Sequence, residues 1–258
     1  MFTTRHTTSQ HIGSRTHQAD ATAHYDNAVT GHRAWVLLDG IGDRDHTAAW
    51  TPTAARALAM TAAYVGDPGA AIRQIRPVLH AQRATLNHPR DWPADAAAIA
   101  AVLTSTGTLH IGWAGDCRAY LAEHGRANLL TTDHNEATEQ RREGHQPEPD
   151  DHDYLTSSLC LSNGRVDAVT VDFGPRPGMR RLVLASDGAY LPHEQAGTLP
   201  PPSPDGTPRH RDGRAAPAPL LTGAPATVAR RITDLAVNAD PTRADNATVL
   251  LVDLHPAD

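Results

Sequence analysis

The sequence predicts a mixed α and β fold in which antiparallel strands carry helices on their surface. Short apolar runs that end at turn signals, such as residues 33–38, are typical of buried strands. Several such runs follow one another closely, and a hairpin turn at 105–108 joins two of them, which predicts an antiparallel meander. Two alanine-rich segments, 45–64 and 70–86, have helical periodicity and predict a helix pair lying on a sheet.

The remaining elements are predicted in chain order. Residues 1–12 are polar and predict a frayed N-terminus, and Pro77 predicts a kink or an interruption of the second helix. A short polar helix is expected within 132–144, an amphipathic helix at 225–237, and a proline-rich loop insertion at 197–219. Further strands are expected at 96–104, 109–114, 119–123, 128–131, 166–173, 180–186 and 247–254. No internal boundary is visible, so 1–258 is expected to be a single domain.

Composition narrows the classes of function. The chain of 258 residues is 40% hydrophobic and 20% charged, as in ordinary globular proteins. Its net charge of −6 argues against nucleic acid or an anionic membrane as the main partner. The N-terminus lacks the apolar core of a signal peptide and no apolar run is long enough to span a membrane, so a cytoplasmic, soluble protein is expected. A monomer is expected as well. Cys117 and Cys160 form no disulfide framework and are expected to be small buried residues.

One acidic residue follows the first predicted strand directly. Asp39 ends the apolar run and Gly40 comes next, so a carboxylate and a backbone carbonyl lie side by side. Hard oxygen ligands of this kind suit Mg²⁺ or Mn²⁺. The alternative is an ordinary turn in which the aspartate caps its own backbone.

The same arrangement recurs along the chain, which favours the metal site. Asp187 ends a second apolar strand and is again followed by glycine, Asp116 follows a third strand, and Asp245 immediately precedes the last one. If these strand ends converge, they form an oxygen-lined site of the kind used in phosphoryl chemistry. The acidic stretch 148–153 is interpreted as a solvated loop, and residues 39–45 lack the ligand spacing of an EF-hand.

The order of these motifs resembles a known family. After Arg15 and Asp20 come LLDGIG at 37–42, GWAGDCRAYL at 112–121, LLTTDHN at 129–135, LVLASDG at 182–188 and DNATVLLV at 245–252. This series is similar to that of the metal-dependent protein phosphatases, the type 2C serine/threonine phosphatases. The resemblance implies a sandwich of two antiparallel sheets with a helix pair on each outer face.

The resemblance also implies roles for individual residues. Asp39 would bridge two Mn²⁺ or Mg²⁺ ions, the Gly40 carbonyl would serve the second ion, and Asp187 and Asp245 would hold the first. Asp116, with Asp187, would help to form a third, weaker site. Asp20 would orient the attacking water, and Arg15 would bind the substrate phosphate, to which its planar fork is suited.

The sequence departs from the family pattern at several positions. Ala19 stands where an acid or amide usually precedes Asp20, and Gln18 stands where asparagine is common. Asp43 is a candidate to replace the lost acid, and 95–97 replaces the usual Gly-Thr-Thr. Because Asp39, Asp187, Asp245 and Arg15 are all present, the resemblance still implies an active enzyme. It would hydrolyse phosphoserine or phosphothreonine in a protein that a kinase has phosphorylated. The alternative is a weakly active or inactive module that binds a phosphoprotein in a regulatory role.

Overall fold

The computed structural model describes residues 2–85, 92–171, 173, 178–202 and 215–256, in which two antiparallel sheets pack face to face. The first sheet contains, in spatial order, β2 (Ala21–Asp26), β3 (Arg33–Gly40), β4 (Ala96–Leu103), β5 (Leu109–Ala114) and β8 (Asp167–Val171). The second contains, in spatial order, β1 (Phe2–His11), β11 (Ala247–Pro256), β9 (Arg180–Ala185), β6 (Arg118–Glu123), β7 (Arg126–Leu129) and the two-residue β10 (Ala216–Pro217).

Helices cover both outer faces of this sandwich. The pair α1 (Asp45–Val65) and α2 (Pro68–Ala84) lies on the first sheet, and the pair α4 (Asp187–Gln195) and α5 (Pro225–Ala239) lies on the second. A shorter helix, α3 (Glu136–Arg142), follows β7. The predicted four-layer sandwich is therefore confirmed. Among the described helices, none is both long and apolar enough to cross a membrane.

Three apolar clusters hold the layers together. One lies between the two sheets and includes Trp35, Ile99 and Leu250. The other two lie between each sheet and its helices, where α1 and α2 contribute mainly alanines and α5 contributes Val228 and Ile232. Small alanine side chains let α1 approach the first sheet closely, so the abundance of alanine is used in packing.

Local signals in the sequence define the turn between α1 and α2. Gly66 ends α1 with a left-handed backbone, φ +80°, and the Asp67 side chain accepts a hydrogen bond from the Ala70 N–H. Pro68 occupies the first turn of α2, where its missing N–H costs nothing. The helix then runs through Pro77 without interruption, because Ile72 and Leu79 hold its inner face on the sheet.

The predicted frayed N-terminus is wrong. Residues Phe2–His11 form β1, which pairs with β11 at ten successive positions from Phe2↔Pro256 to His11↔Ala247. The polar character of this segment reflects its place as an edge strand, since Thr and Ser can alternate between a half-buried face and solvent. The β-branched threonines favour the extended backbone.

The predicted meander is only partly correct. The pairs β4–β5 and β6–β7 are antiparallel neighbours, but β5 and β6 lie in different sheets. The chain crosses between the sheets at residues 115–117. Hydrophobic periodicity identifies strands but carries no information about which sheet each one joins.

Besides β1, three elements were not expected from the sequence. Strand β2 lies beside β3, helix α4 begins at Asp187 itself, and β10 lies within the segment 197–219 that was interpreted as a loop insertion. Of the polar helix predicted within 132–144, only α3 is helical. Residues 131–135 are instead buried in extended or irregular backbone. Leu86 of the second predicted helix and residues 203–214 of the proline-rich segment lie outside the described residues.

Candidate metal centre

The predicted acids line one cleft of about 640 Å³ at an edge of the sandwich. Its wall contains Arg15, Asp39, Gly40, Asp116, Asp187 and Asp245. The structure thus gathers in one cleft residues that are up to 230 positions apart along the chain, as the Arg15–Asp245 ion pair shows. Asp20 lies behind this wall, where its residue surface is only 4% exposed.

Asp39 and Gly40 are the last two residues of β3, opposite Ala97 and Ala96 of β4. Glycine is required at position 40, since a Cβ there would lie 2.4 Å from the Ala19 carbonyl oxygen. This close approach brings the segment that contains Asp20 directly against the end of β3. The side chains of Asp39 and Asp20 therefore interact electrostatically.

Asp187 follows β9 and opens α4, where a negative charge is favourable near the helix N-terminus. The next residue must again be small, because a Cβ on Gly188 would lie 2.3 Å from the Asn246 carbonyl oxygen and 3.0 Å from the Asp245 Cβ. The Asp187–Gly188 turn therefore packs against the start of β11. Burial raises the pKa of Asp39, and the charges of Asp20 and Asp187 add to this effect, so the carboxyl groups of Asp187 and Asp39 interact.

Asp116 lies where the chain passes from the first sheet to the second. His134 holds the preceding residue through two hydrogen bonds: the Gly115 N–H donates to His134 Nδ1 at 3.2 Å, and the His134 N–H donates to the Gly115 carbonyl at 3.0 Å. The Tyr190 hydroxyl, from α4, donates to the Asp116 carbonyl at 3.1 Å. These bonds define the backbone of the turn and leave the Asp116 side chain facing the cleft.

Asn246 ties the loop that contains Arg15 and Asp20 to the start of β11. Its Oδ1 accepts the Ala19 N–H at 2.7 Å, and its Nδ2 donates to the carbonyls of Ile12 and His17. The NH₂ group and the oxygen of this buried amide both bond to the same loop. Asn246 therefore places this loop against Asp245, the candidate metal ligand directly before Asn246 in sequence.

Arg15 and Asp43 hold the other side of the same loop. Arg15 Nη2 lies 2.6 Å from Asp245 Oδ2, so the candidate phosphate ligand is paired with a candidate metal ligand. Asp43 accepts the N–H groups of Thr16 and His17 at 2.8 Å each. Its Oδ1 also lies 3.0 Å from His17 Nδ1. Asp43 therefore supports the loop and is not among the residues that line the cleft.

Burial and mutual repulsion raise the pKa values of the acids in and behind the cleft. Burial raises the pKa of Asp20 to about 7, and the charges of Asp187 and Asp245 add to this effect. Burial raises the pKa of Asp187 to about 6, with Asp245 as the main neighbouring charge. The pKa values of Asp39 and Asp116 are also raised, first by burial and then by the surrounding carboxylates.

Asp20 is buried without a protein partner for its charge in the described part of the chain. Neither of its carboxylate oxygens has a hydrogen-bond partner of normal geometry among the described residues. Burial raises its pKa more than the nearby hydroxyls of Thr248 and Ser186 lower it. An unsatisfied buried carboxylate is costly, and a cation or ordered water nearby would offset that cost.

The donor set fits a divalent cation in its chemistry, although the side chains do not form a ready-made site. Within the described part of the chain, no group of three or more His, Cys, Asp or Glu side chains is arranged to hold a metal ion. The cleft nevertheless supplies carboxylates and a backbone carbonyl, which are the ligands that Mg²⁺ and Mn²⁺ prefer. The individual metal-binding roles therefore stay predictions.

Sequence reasoning overlooked three residues that shape the site. His134, Tyr190 and Asn246 contact the backbone at or beside the candidate ligands. His134 and Asn246 lie within motifs that carry the family resemblance, so the signal was present but no role could be read from it. Cys117 and Cys160 are free and buried as expected, and burial raises the pKa of both thiols.

Comparisons with known proteins agree with this architecture. The family model described as Protein phosphatase 2C matches residues 69–143. Among curated proteins, none matches the chain in sequence. Similar solved structures include the S. agalactiae serine/threonine phosphatase, with a TM-score of 0.75 and 19% identity, covering 97% of this chain and 99% of that one.

Two structures of PstP are also similar. The Mycobacterium tuberculosis serine/threonine phosphatase PstP/Ppp has a TM-score of 0.70 and 19% identity, covering 99% of this chain and 100% of that one. The PstP catalytic domain in complex with two manganese ions has a TM-score of 0.68 and 20% identity, with the same coverage of 99% and 100%. The predicted resemblance is therefore confirmed: this chain has the fold of the metal-dependent, type 2C protein phosphatases, and part of its sequence matches the model of that family.

Proposed function

We propose that this protein hydrolyses phosphoserine or phosphothreonine in proteins with the help of Mn²⁺ or Mg²⁺. The observation that carries the proposal is the convergence of Asp39, Asp187, Asp245 and Asp116 on one cleft, with the unsatisfied carboxylate of Asp20 behind them. Carboxylates that repel one another in this way have raised pKa values, and they gain most from a divalent cation.

Each acid in and behind the cleft would have its own role in this reaction. Asp39, Asp187 and Asp245 would hold two cations together with the Gly40 carbonyl, and Asp116 with Asp187 would contribute to a weaker third site. Such cations activate water at neutral pH and neutralise the charge of a phosphate. Asp20 would orient this water, because neither of its buried oxygens has a protein hydrogen-bond partner of normal geometry among the described residues.

Arg15 is the proposed ligand of the substrate phosphate. Its guanidinium has five N–H donors, so the bond to Asp245 uses only part of its capacity. The hydrogen bonds that Asn246 and Asp43 make to the neighbouring backbone hold it at the wall of the cleft. A planar guanidinium donates two parallel hydrogen bonds to phosphate oxygens, which favours substrate binding in one orientation.

The solved structures support the same activity. Serine/threonine phosphatases share this fold over nearly their whole length, and PstP is in complex with two manganese ions. By analogy, the substrate here is a phosphorylated protein, and the activity opposes a serine/threonine kinase. The similar fold supports this function, and the chemical argument for it rests on the residues of the cleft.

Activity on a phosphothreonine peptide tests the proposal. The wild type with Mn²⁺ should release phosphate, and EDTA should abolish the release. Asp39→Ala should lower kcat/KM by roughly a hundredfold or more, because a charge-stabilising group in the transition state is lost. Asp45→Ala is the matched control, since Asp45 is highly exposed and lies outside the cleft. Activity that survives both EDTA and Asp39→Ala would disprove the metal-dependent mechanism.

The second candidate function is a phosphoprotein-binding module without turnover. Ala19 favours it, because it stands where the family carries an acid or amide and its methyl group packs against Gly40. The lack of a ready-made ligand group in the described residues favours it as well. This alternative predicts binding of the phosphopeptide with no phosphate release at any Mn²⁺ concentration. Metal occupancy in a crystal soaked with Mn²⁺ would separate a weakened centre from a lost one.

A further inference from the structure

Three exposed apolar side chains lie around the cleft of the candidate metal centre. Trp92, Tyr154 and Ile41 all line it, and they are 79%, 63% and 45% exposed. We refer to these three residues as the apolar rim. A cleft lined by carboxylates does not need large apolar side chains at its entrance, and exposed apolar side chains grouped around one cleft commonly mark a binding site.

Trp92 differs from the other tryptophans of the chain. Trp35, Trp50 and Trp113 are buried and contribute to the core, whereas the indole of Trp92 is in solvent. Its exposure has no packing function that the described contacts reveal. An exposed tryptophan beside a functional cleft is the type of residue that dominates binding energy at interfaces.

The backbone of the apolar rim is held in place although its side chains are exposed. The Trp92 carbonyl lies 3.0 Å from His46 Nε2, and the Ile41 N–H donates to the Asp95 carbonyl at 2.9 Å. The Tyr154 carbonyl accepts the Glu136 N–H at 2.9 Å. Side chains presented on a fixed backbone bind with a smaller loss of conformational entropy, so the rim is pre-organised.

We infer that the apolar rim binds a bulky apolar side chain close in sequence to the phosphorylated residue of a substrate protein. This inference rests on the proposed function, because it places the phosphate among the candidate ligands. An extended peptide spans about 3.3–3.6 Å per residue, so the residues flanking the phosphorylated one must leave the cleft across its entrance. Aromatic and branched side chains at that entrance bury apolar surface of the substrate.

Charge selects against an acidic flanking sequence. Asp153 also lines the cleft beside Tyr154, and the chain as a whole has a net charge of −6. Acidic residues next to the phosphate would be repelled, whereas apolar residues would contact Trp92 and Tyr154. The structure thus favours a phosphoprotein segment with an apolar, non-acidic neighbourhood.

Two phosphothreonine peptides test this specificity. They are identical except that one carries Phe and the other Ser at the two positions on each side of the phosphothreonine. The value of kcat/KM is measured with Mn²⁺ for the wild type, Trp92→Ala and Tyr64→Ala. Dissociation constants are measured by fluorescence anisotropy with non-hydrolysable phosphonate versions of the same peptides, which gives a readout independent of turnover.

The wild type should favour the Phe peptide roughly tenfold in both measurements, as is typical of one aromatic anchor. Trp92→Ala should reduce this preference to about twofold or less. Tyr64→Ala is the matched control, because Tyr64 is 71% exposed on α1 and does not line the cleft. Thermal unfolding of Trp92→Ala should match the wild type, because the removed side chain is not in the core.

The outcomes separate the inference from the proposed function. Phosphate release with no preference between the peptides, or with a preference that Trp92→Ala retains, would overturn the role of the apolar rim and leave the phosphatase proposal intact. Trp92-dependent binding preference without phosphate release would support the rim and overturn hydrolysis. Failure to bind or hydrolyse either peptide would overturn both.

Discussion

Asp43 has a different role from the one its position in the sequence indicated. As an acid three residues after the Asp-Gly motif, it was a candidate to replace the missing acid at position 19. In the structure its oxygens accept the N–H groups of Thr16 and His17. These backbone hydrogen bonds, that from Thr16 first, lower its pKa to about 2, so it is ionised at neutral pH. We therefore assign Asp43 to the positioning of Arg15.

Substitution of Asp43 tests this positioning role. Asp43→Ala frees the backbone of residues 16 and 17, so Arg15 should lose its fixed place in the cleft. We expect kcat/KM for a phosphopeptide to fall roughly tenfold, mainly through a higher KM, because small misplacements of a binding group are costly. Asp43→Asn retains a hydrogen-bond acceptor, so kcat/KM should fall less in this variant.

Asp45→Ala is also the control here, since Asp45 is close in sequence but highly exposed. A loss of bound Mn²⁺ in Asp43→Ala, with an unchanged KM for the peptide, would instead make Asp43 a metal ligand.

At the scale of elements, Arg118 connects three parts of the chain around the cleft. From β6, the buried Arg118 forms a bidentate pair with Asp133 in the segment before α3, with distances of 3.0 and 2.7 Å. It also pairs with Glu194 of α4, and its guanidinium lies 3.9 Å from the centre of the Tyr190 ring. Since Tyr190 holds the Asp116 carbonyl, this network supports one of the candidate ligands.

Removal of Arg118 should destabilise the protein strongly. Arg118→Leu leaves Asp133 buried without its counter-ion, and breaking a buried pair in this way costs about 3–5 kcal/mol. Denaturation by urea would measure this difference in the free energy of unfolding. The double variant Arg118→Leu/Asp133→Asn should recover part of the loss, because it removes the unpaired charge. A single variant within about 0.5 kcal/mol of the wild type, the range of ordinary surface substitutions, would contradict the structural role of the network.

At the scale of the whole molecule, the acids of the cleft oppose folding when no cation is present. The pKa of Asp20 is about 7 in the folded protein and near the ordinary value of 3.8 when the chain is unfolded. Between these values the folded state binds a proton that the unfolded state has lost. The free energy of unfolding must therefore decrease as the pH rises through this window.

Stability measured against pH tests this balance. In EDTA, the free energy of unfolding should fall between about pH 4 and pH 7 by a few kcal/mol, since each unit of pKa shift corresponds to about 1.4 kcal/mol. Asp20→Asn should flatten the curve, and Asp45→Asn should not change it. Mn²⁺ added to the wild type at pH 7 should raise the melting temperature, because a ligand of the folded state stabilises it. A wild-type curve that rises through this window would contradict the assignment.

The prediction of acids at the strand ends was possible because its signal is local. Asp39 and Asp187 are each marked by an apolar run before them and a glycine after them, and the structure shows why that glycine is needed. The prediction failed where a residue's role depends on a distant partner. The polar strand β1 was interpreted as a frayed end, since only its pairing with β11, at the other end of the chain, gives it structure.

The sequence by itself determined most of the helices and strands and the acids at the strand ends, because hydrophobic periodicity and turn chemistry act over a few residues. Only the tertiary structure decided which sheet each strand joins. It placed β5 and β6, which flank the Asp116 turn in sequence, in different sheets. It also decided that Asn246 and Asp43 hold the Arg15 loop and that Trp92 lies at the rim of the cleft. These outcomes depend on the packing of segments far apart along the chain, which no local pattern encodes.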